Sequence, residues 1–250
     1  MCGFVYPIIF AALIQIILMI HITLPDGSVK TFNKGVTPMD VAKSISEGFA
    51  RHVISAKFNN ITVETSTPLN TDGSLVLFTW NNDEGKTAFW HSSAHVLAQA
   101  IEELYPGVKL TIGPAIENGF YYDVDFGEHN ISEKDFKTIE NKMLEIARGK
   151  HDFNLRPVSK ADALSLYKGN EFKTELIENL EDGTITFCDH STFTDLCRGG
   201  HIPNTGIIKA VKVLSVAGAY WRGNEKNKQL TRVYGISFPK QKDLSEYLEL

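Results

Sequence analysis

Met19-Ile20-His21-Ile22-Thr23-Leu24, then Pro25-Asp26-Gly27-Ser28, then Val29-Lys30-Thr31-Phe32 is the stretch that decides how this chain begins to fold. Apolar and polar side chains alternate on both sides of the Pro-Asp-Gly-Ser quartet. A period of two places one face of each strand on a core and the other in water. The quartet carries the residues that reverse a chain, so Ile20–Leu24 and Val29–Phe32 are expected as a hairpin. Thr37-Pro38-Met39-Asp40 then opens a helix. Thr37 is the N-cap, Pro38 stands at the first helical position, and Asp40 reaches back to close a capping box. Val53–Phe58 and Ile61–Val63 form a second hairpin around Asn59-Asn60, and Ser74–Thr79 is a last strand. Two strands, a helix and further strands over residues 19–80 describe an α+β unit of the β-grasp, ubiquitin-like type.

Upstream of that hairpin, Gly3 to Ile20 holds a single strongly polar residue, Gln15, and is long enough for a membrane span. No Lys or Arg precedes Lys30 to supply a positive flank, and no small-residue cleavage site follows. The first strand begins without a spacer. Residues 1–18 are therefore read as an apolar extension outside the fold: Met19 as the natural start, a membrane segment as the alternative.

The chain has 250 residues, 43% of them hydrophobic and 22% charged, which suffices for one or two buried cores and excludes a disordered chain. Its net charge of −5 excludes a protein that is basic throughout. From Ile207 to Lys242, however, eight Lys or Arg face one acid, Glu225. Such a segment suits contact with a phosphate backbone, or is simply a solvated face. Three cysteines (Cys2, Cys188 and Cys197) give no even disulfide framework, so a reducing, cytoplasmic setting is expected.

After the polar run Asn81-Asn82-Asp83-Glu84-Gly85, a helix is expected from about Ala88 to Tyr105, with Ala94, Leu97, Ile101 and Leu104 as its apolar stripe. His91 and His95 lie beside that stripe, four residues apart and so on one face. Strands are expected at Leu110–Ile116 and Phe120–Phe126. A capped helix begins at Ser132, a shorter one runs from Ser159 to near Gly169, and strands follow at Thr184–Asp189, Ile208–Val216 and Thr231–Phe238. About a hundred residues beyond the histidines comes Cys197-Arg198-Gly199-Gly200-His201, a loop able to fold its ends together. Three imidazoles and one thiol make either a tetrahedral zinc site or a hydrolytic pocket. Residues 240–250 start a helix that lacks a C-cap, which reads as a chain cut rather than finished.

Several of these stretches together resemble the N-terminal half of threonyl-tRNA synthetases. They include Ile22 to Ser28, Pro38 to Ala42, His91 to His95, Ile112-Gly113-Pro114 and Asn118 to Asp123. Asp195 to Gly199 and Ala217-Gly218-Ala219-Tyr220-Trp221-Arg222-Gly223 complete the set. The resemblance implies a TGS domain over 19–80 and, over 81–239, a larger α/β two-layer editing domain of the threonyl/alanyl-tRNA synthetase type. Residues 240–250 would begin a linker helix. Gly200 departs from the family, which usually carries Pro before the histidine. Nothing resembles the class II core, to which ATP and a catalytic zinc would belong, so this chain is not expected to ligate threonine.

The resemblance also implies an activity. Serine is one methyl group smaller than threonine, a difference worth only ~1–3 kcal/mol to a binding pocket, so a second site must hydrolyse mischarged Ser-tRNA(Thr). His91 and His95 would hold the water and the terminal ribose, and Cys197 and His201 would complete the pocket, with His201 carrying the proton. Asp195 would recognise the seryl group, and Lys173 would bear on the leaving oxygen. His91, His95, Cys197 and His201 are also the candidate zinc ligands, with no metal strictly required. Expected partners are the acceptor end of tRNA(Thr) and the catalytic and anticodon-binding domains of a homodimeric parent; no membrane partner is expected. The alternatives are a non-catalytic tRNA-positioning module and a zinc-binding regulatory domain.

Overall fold

A computed structural model describes residues 19–249. The expectations for Met1 to Leu18 lie outside the described residues. The chain divides into two compact units, one ending at Thr79 and the other beginning at Trp80.

In the first unit, β1 (Met19–Thr23) and β2 (Val29–Asn33) form the antiparallel hairpin, with Ile20 opposite Phe32 and Ile22 opposite Lys30. The turn closes with Gly27 at φ +81°, a conformation that glycine adopts at little cost. Helix α1 (Pro38–Ile45) starts with the capping box: Asp40 N–H donates to Thr37 Oγ1 at 3.1 Å, and Thr37 N–H donates to Asp40 at 3.1 Å. A short turn of helix, α2 (Glu47–Ala50), leads into β3 (Val53–Phe58), β4 (Ile61–Val63) and β5 (Gly73–Thr79). The sheet runs β2-β1-β5-β3-β4, and its central pair, β1 and β5, is parallel. Ile20, Ile22, Val41, Ala56 and Leu75 meet beneath the helix as the core. Each such buried aliphatic side chain contributes roughly 1.5–3 kcal/mol. This is the β-grasp arrangement.

The second unit is built around helix α3 (Asp83–Leu104), which begins one turn earlier than its apolar stripe predicts. Asn82 has the extended backbone of an N-cap, and Asp83 and Glu84 place acids in the first turn, where the helix dipole favours them. The polar run expected to precede the helix therefore opens it. Strands β6 (Lys109–Leu110), β7 (Ala115–Ile116) and β8 (Gly119–Asp125) follow, then α4 (Glu133–Arg148), β9 (Asn154–Pro157), α5 (Lys160–Leu166) and α6 (Glu171–Glu178). The chain continues through β10 (Thr186–His190), β11 (Phe193–Leu196), β12 (Ala210–Tyr220), β13 (Gln229–Phe238) and α7 (Gln241–Leu248).

One sheet runs β12-β13-β8-β6, with β7 paired to β8, and α3 and α4 pack against it. A smaller sheet runs β11-β10-β9. The strand expected across 110–116 is broken at Ile112-Gly113-Pro114. Pro114 has no N–H for a ladder, and Gly113 lies so close to the Tyr122 ring that a Cβ there would sit 2.1 Å from it. That break opens a wall of the site.

Candidate active site

Four parts of the second unit converge: α3, the break after β6, α6 and the loop after β11. The serines between the two histidines of α3 tie the helix in place. Ser92 Oγ accepts the Ile202 N–H at 3.0 Å, joining the helix to the loop that carries His201. Ser93 Oγ meets Ser237 Oγ at 2.7 Å, and the Trp90 indole donates to the Ser237 carbonyl at 3.0 Å, joining the helix to β13. His91 and His95 are thus presented on a helix fixed at its neighbours.

The loop is shaped by Gly199 and Gly200, at φ +96° and +91°. A proline, locked near φ −65°, does not fit this conformation at position 200, so the loop takes a path of its own. It still delivers His201, whose Nε2 lies 3.2 Å from Cys197 Sγ. His91 Nε2 lies 3.1 Å from the same sulfur. The donor atoms of His91, His95, Cys197 and His201 all fall within 4.8 Å of one another. Phe153 stacks on the His201 ring, with centroids 5.2 Å apart and planes at 7°, and Cys188 Sγ lies 3.6 Å from its Nδ1.

Asp195 sits under this group, 2% exposed. Its carboxylate accepts from Lys173 Nζ, from the Tyr122 hydroxyl at 2.7 Å and from the Tyr167 hydroxyl at 3.4 Å. His95 Nδ1 lies 3.1 Å from Asp195 Oδ2, an ion-pair contact rather than an aligned hydrogen bond. Lys173 is placed by the start of α6, where the Asn170 side chain accepts the N–H groups of Phe172 and Lys173 at 3.1 Å each. The same side chain donates to the Leu110 carbonyl at 2.8 Å and ties α6 to β6.

These groups open on a cavity of about 530 Å³, with His91, His95, Lys173, Asp195 and Cys197 in its lining. Ile112 to Ala115, from the broken strand, form another part of the wall. His201 is buried behind Cys197 and is not part of the wall. The structure brings His91, His95, Lys173, Asp195, Cys197 and His201 together. Tyr122, Tyr167 and the two serines join them without a local sequence signal: Tyr122 is buried and donates to Asp195. Cys188 stands behind His201.

The ionisations follow from these contacts. Burial is the largest influence on each. It opposes the Cys197 thiolate, yet the His95 charge and the hydrogen bonds of His201 and His91 bring that thiol well below its ordinary range. Burial also depresses His95, but Cys197 and Asp195 together raise it. For His91 burial prevails, and its pKa falls. Burial opposes the Asp195 carboxylate as well, and Lys173 and His95 hold it well below the carboxylate range. Tyr122 is pushed well up, first by burial and then by the Asp195 charge, so it remains a donor.

By type, three imidazoles and a thiolate are a zinc set. With Asp195 against Nδ1 of His95, Nε2 is left as the ligand nitrogen, the arrangement metal-bound histidines commonly have. The residues fit the ion.

Of the eight cations of the basic segment, Lys212 pairs with Glu140, Arg222 with Glu175, Lys228 with Asp125, Arg232 with Asp123 and Lys242 with Glu246. All of these acids but Glu246 are distant in sequence, unseen in a local count. Among the described residues no helix is long and apolar enough to cross a membrane.

A β-grasp unit followed by a His/Cys pocket defines a class, and comparison with known proteins agrees. Residues 20–79 match the TGS domain, and residues 185–234 match the threonyl and alanyl tRNA synthetase second additional domain. The chain is 77% identical over 232 residues to the threonine–tRNA ligase of Flavobacterium johnsoniae and 56% identical over 234 residues to that of Cytophaga hutchinsonii. Each alignment covers 93% of this chain and 36% of the relative. The chain belongs to the threonine–tRNA ligase family and spans about a third of the length of the curated relatives it matches.

Proposed function

We propose that the second unit hydrolyses the ester of serine misattached to tRNA(Thr), as the proofreading part of a cytoplasmic threonine–tRNA ligase. The observation that carries this reading is the cavity in which His91 beside Cys197, His95 beside Asp195, and the Lys173–Asp195 pair face one space. His91 accepts a proton from water as the water oxygen attacks the ester carbonyl carbon. Lys173 supplies positive charge to the oxygen that becomes negative. The bond to the ribose oxygen then breaks, that oxygen takes up a proton, and free serine and a tRNA 3′ hydroxyl result.

Asp195 differs from its expected role. Its oxygens are engaged by Lys173, Tyr122, Tyr167 and His95, so it fixes these groups in place rather than reading the seryl side chain. His201, behind Cys197, holds the thiolate and so the charge on His95. Were zinc bound, His91, His95, Cys197 and His201 would hold it; four protein ligands close a tetrahedral site, and the ion would polarise a water only where one of the four gave way to it. The donor set supports that second reading of the cluster.

The test is the loss of serine from Ser-tRNA(Thr), followed beside Thr-tRNA(Thr) with the purified chain. The seryl ester is expected to disappear faster than in buffer and the threonyl ester much more slowly. A seryl ester no shorter-lived than in buffer, while tRNA is bound, would leave a non-catalytic tRNA-positioning module.

A further inference from the structure

Beside the His/Cys cavity lies a second one, of about 780 Å³. Thr87 and Ala115 line both, so the two meet along one rim. Helix α3 explains the alignment. Asp83, Thr87, His91 and His95 follow one another at intervals of four, so one helix face runs from the second cavity into the first. At 1.5 Å per residue Asp83 lies about 12 Å from His91, a span that one or two nucleotides of a single strand cover.

The second cavity is lined by both aromatic and polar residues. Trp80 and Trp90 stand edge to face with centroids 5.8 Å apart, and Tyr247 of α7 also lines the space. Glu117 and Asn118, from the turn between β7 and β8, bring a carboxylate and an amide. Lys86, 3.5 Å from Asp83, brings an ammonium group at the rim. The lining thus holds flat rings, an amide, two carboxylates and one cation; Asp83 is the partner of Lys86, which leaves Glu117 as the acceptor for a base amino group.

An ester carbonyl seated among His91, His95 and Cys197 belongs to the terminal adenosine of tRNA, whose 5′ phosphate joins it to a cytidine. We propose that the second cavity is the subsite for that preceding cytidine. Its base stacks against Trp80 and Tyr247, its amino group donates to Glu117, and its linking phosphate faces Lys86. The proposal rests on the ester-hydrolase reading of the first cavity.

Three probes test it with the whole chain: seryl-adenosine, the seryl ester of the trinucleotide CCA, and unesterified CCA. The KM for seryl-CCA is expected at least ~10-fold below that for seryl-adenosine. In Tyr247→Ala and in Glu117→Ala the two KM values converge; Tyr247→Phe, which keeps a flat ring, preserves the difference. Unesterified CCA quenches tryptophan emission, and the quench weakens in Tyr247→Ala. Equal KM values in the unaltered chain overturn the subsite and leave the hydrolase standing. If neither ester is cleaved but CCA still quenches in a Tyr247-dependent way, the hydrolase falls and the subsite remains. Equal quenching by UUU overturns the assignment to cytidine.

Discussion

Lys173 and Asp195 form an ion pair whose side chains are 2% and 3% exposed, at the floor of a cavity built for a polar reaction. Removing Lys173 leaves Asp195 charged and desolvated, held by Tyr122, Tyr167 and His95 but without the lysine charge. Lys173→Met is therefore expected to cost roughly 3–5 kcal/mol of stability, measured by urea unfolding, and to abolish deacylation. Lys173→Met combined with Asp195→Asn should recover much of the stability and none of the activity. Recovery of both would remove the pair from the chemistry.

Metal dependence separates two readings of the His/Cys cluster. The metal-free reading draws its positive charge from Lys173, which lines the cavity beside His91 and His95 and needs no ion. After dialysis against a chelator, with metal content measured alongside, the chain is expected to keep its seryl-ester hydrolysis. Loss of activity that zinc alone restores would assign activation of the water to the ion.

Gly113→Ala tests the wall. The new Cβ would lie 2.1 Å from the Tyr122 ring, which is fully buried and anchored to Asp195, so the ring must move. A stability loss of ~1–3 kcal/mol is expected, with slower deacylation and a changed seryl-to-threonyl ratio. A variant that matches the unaltered chain in all three would mean that the break after β6 is tolerant.

His190 makes stability depend on pH. It lies between Phe153 and Phe193, and burial, followed by the charges of His95 and His201, brings its pKa down to about 3. In the unfolded chain it titrates near ~6.5, so between these values the unfolded state binds more protons. Its contribution is complete above pH 6.5 and is lost as pH falls toward 3, at up to ~1.4 kcal/mol per pH unit. His190→Leu should flatten the unfolding free energy across that interval, by urea titration at each pH. An unchanged slope would place the effect in other groups.

Much of the first unit was legible because its signals are local. The Pro25 to Ser28 turn, the Thr37/Asp40 box and the Asn59-Asn60 turn between Val53–Phe58 and Ile61–Val63 each act within a few residues, and the elements stand where they predict. The second unit was legible in parts. Strands β9 and β11 and helix α6 have no counterpart among the expected elements; β11 and β9 are short and find partners only on β10, and α6 starts from a single Asn cap after Gly169. The site divides the same way. HxxxH spacing on a helix announces itself, but the Tyr122 and Tyr167 hydroxyls reach Asp195 across 73 and 28 residues, a relation no local pattern encodes. The same limit hid the acids that pair with Lys212, Arg222, Lys228 and Arg232.

Helix α3 also acts as a ruler. Because Asp83, Thr87, His91 and His95 sit on one rigid rod, the two cavities are held in phase by helical pitch rather than by a hinge. One residue inserted between Thr87 and His91 would turn the histidine pair by ~100° and point it away from Cys197, although no side chain had been altered. Insertion of a whole turn would restore the direction and lengthen the spacing by ~5–6 Å. The chemistry of the pocket and the length of strand it can measure are therefore fixed by the same count of residues.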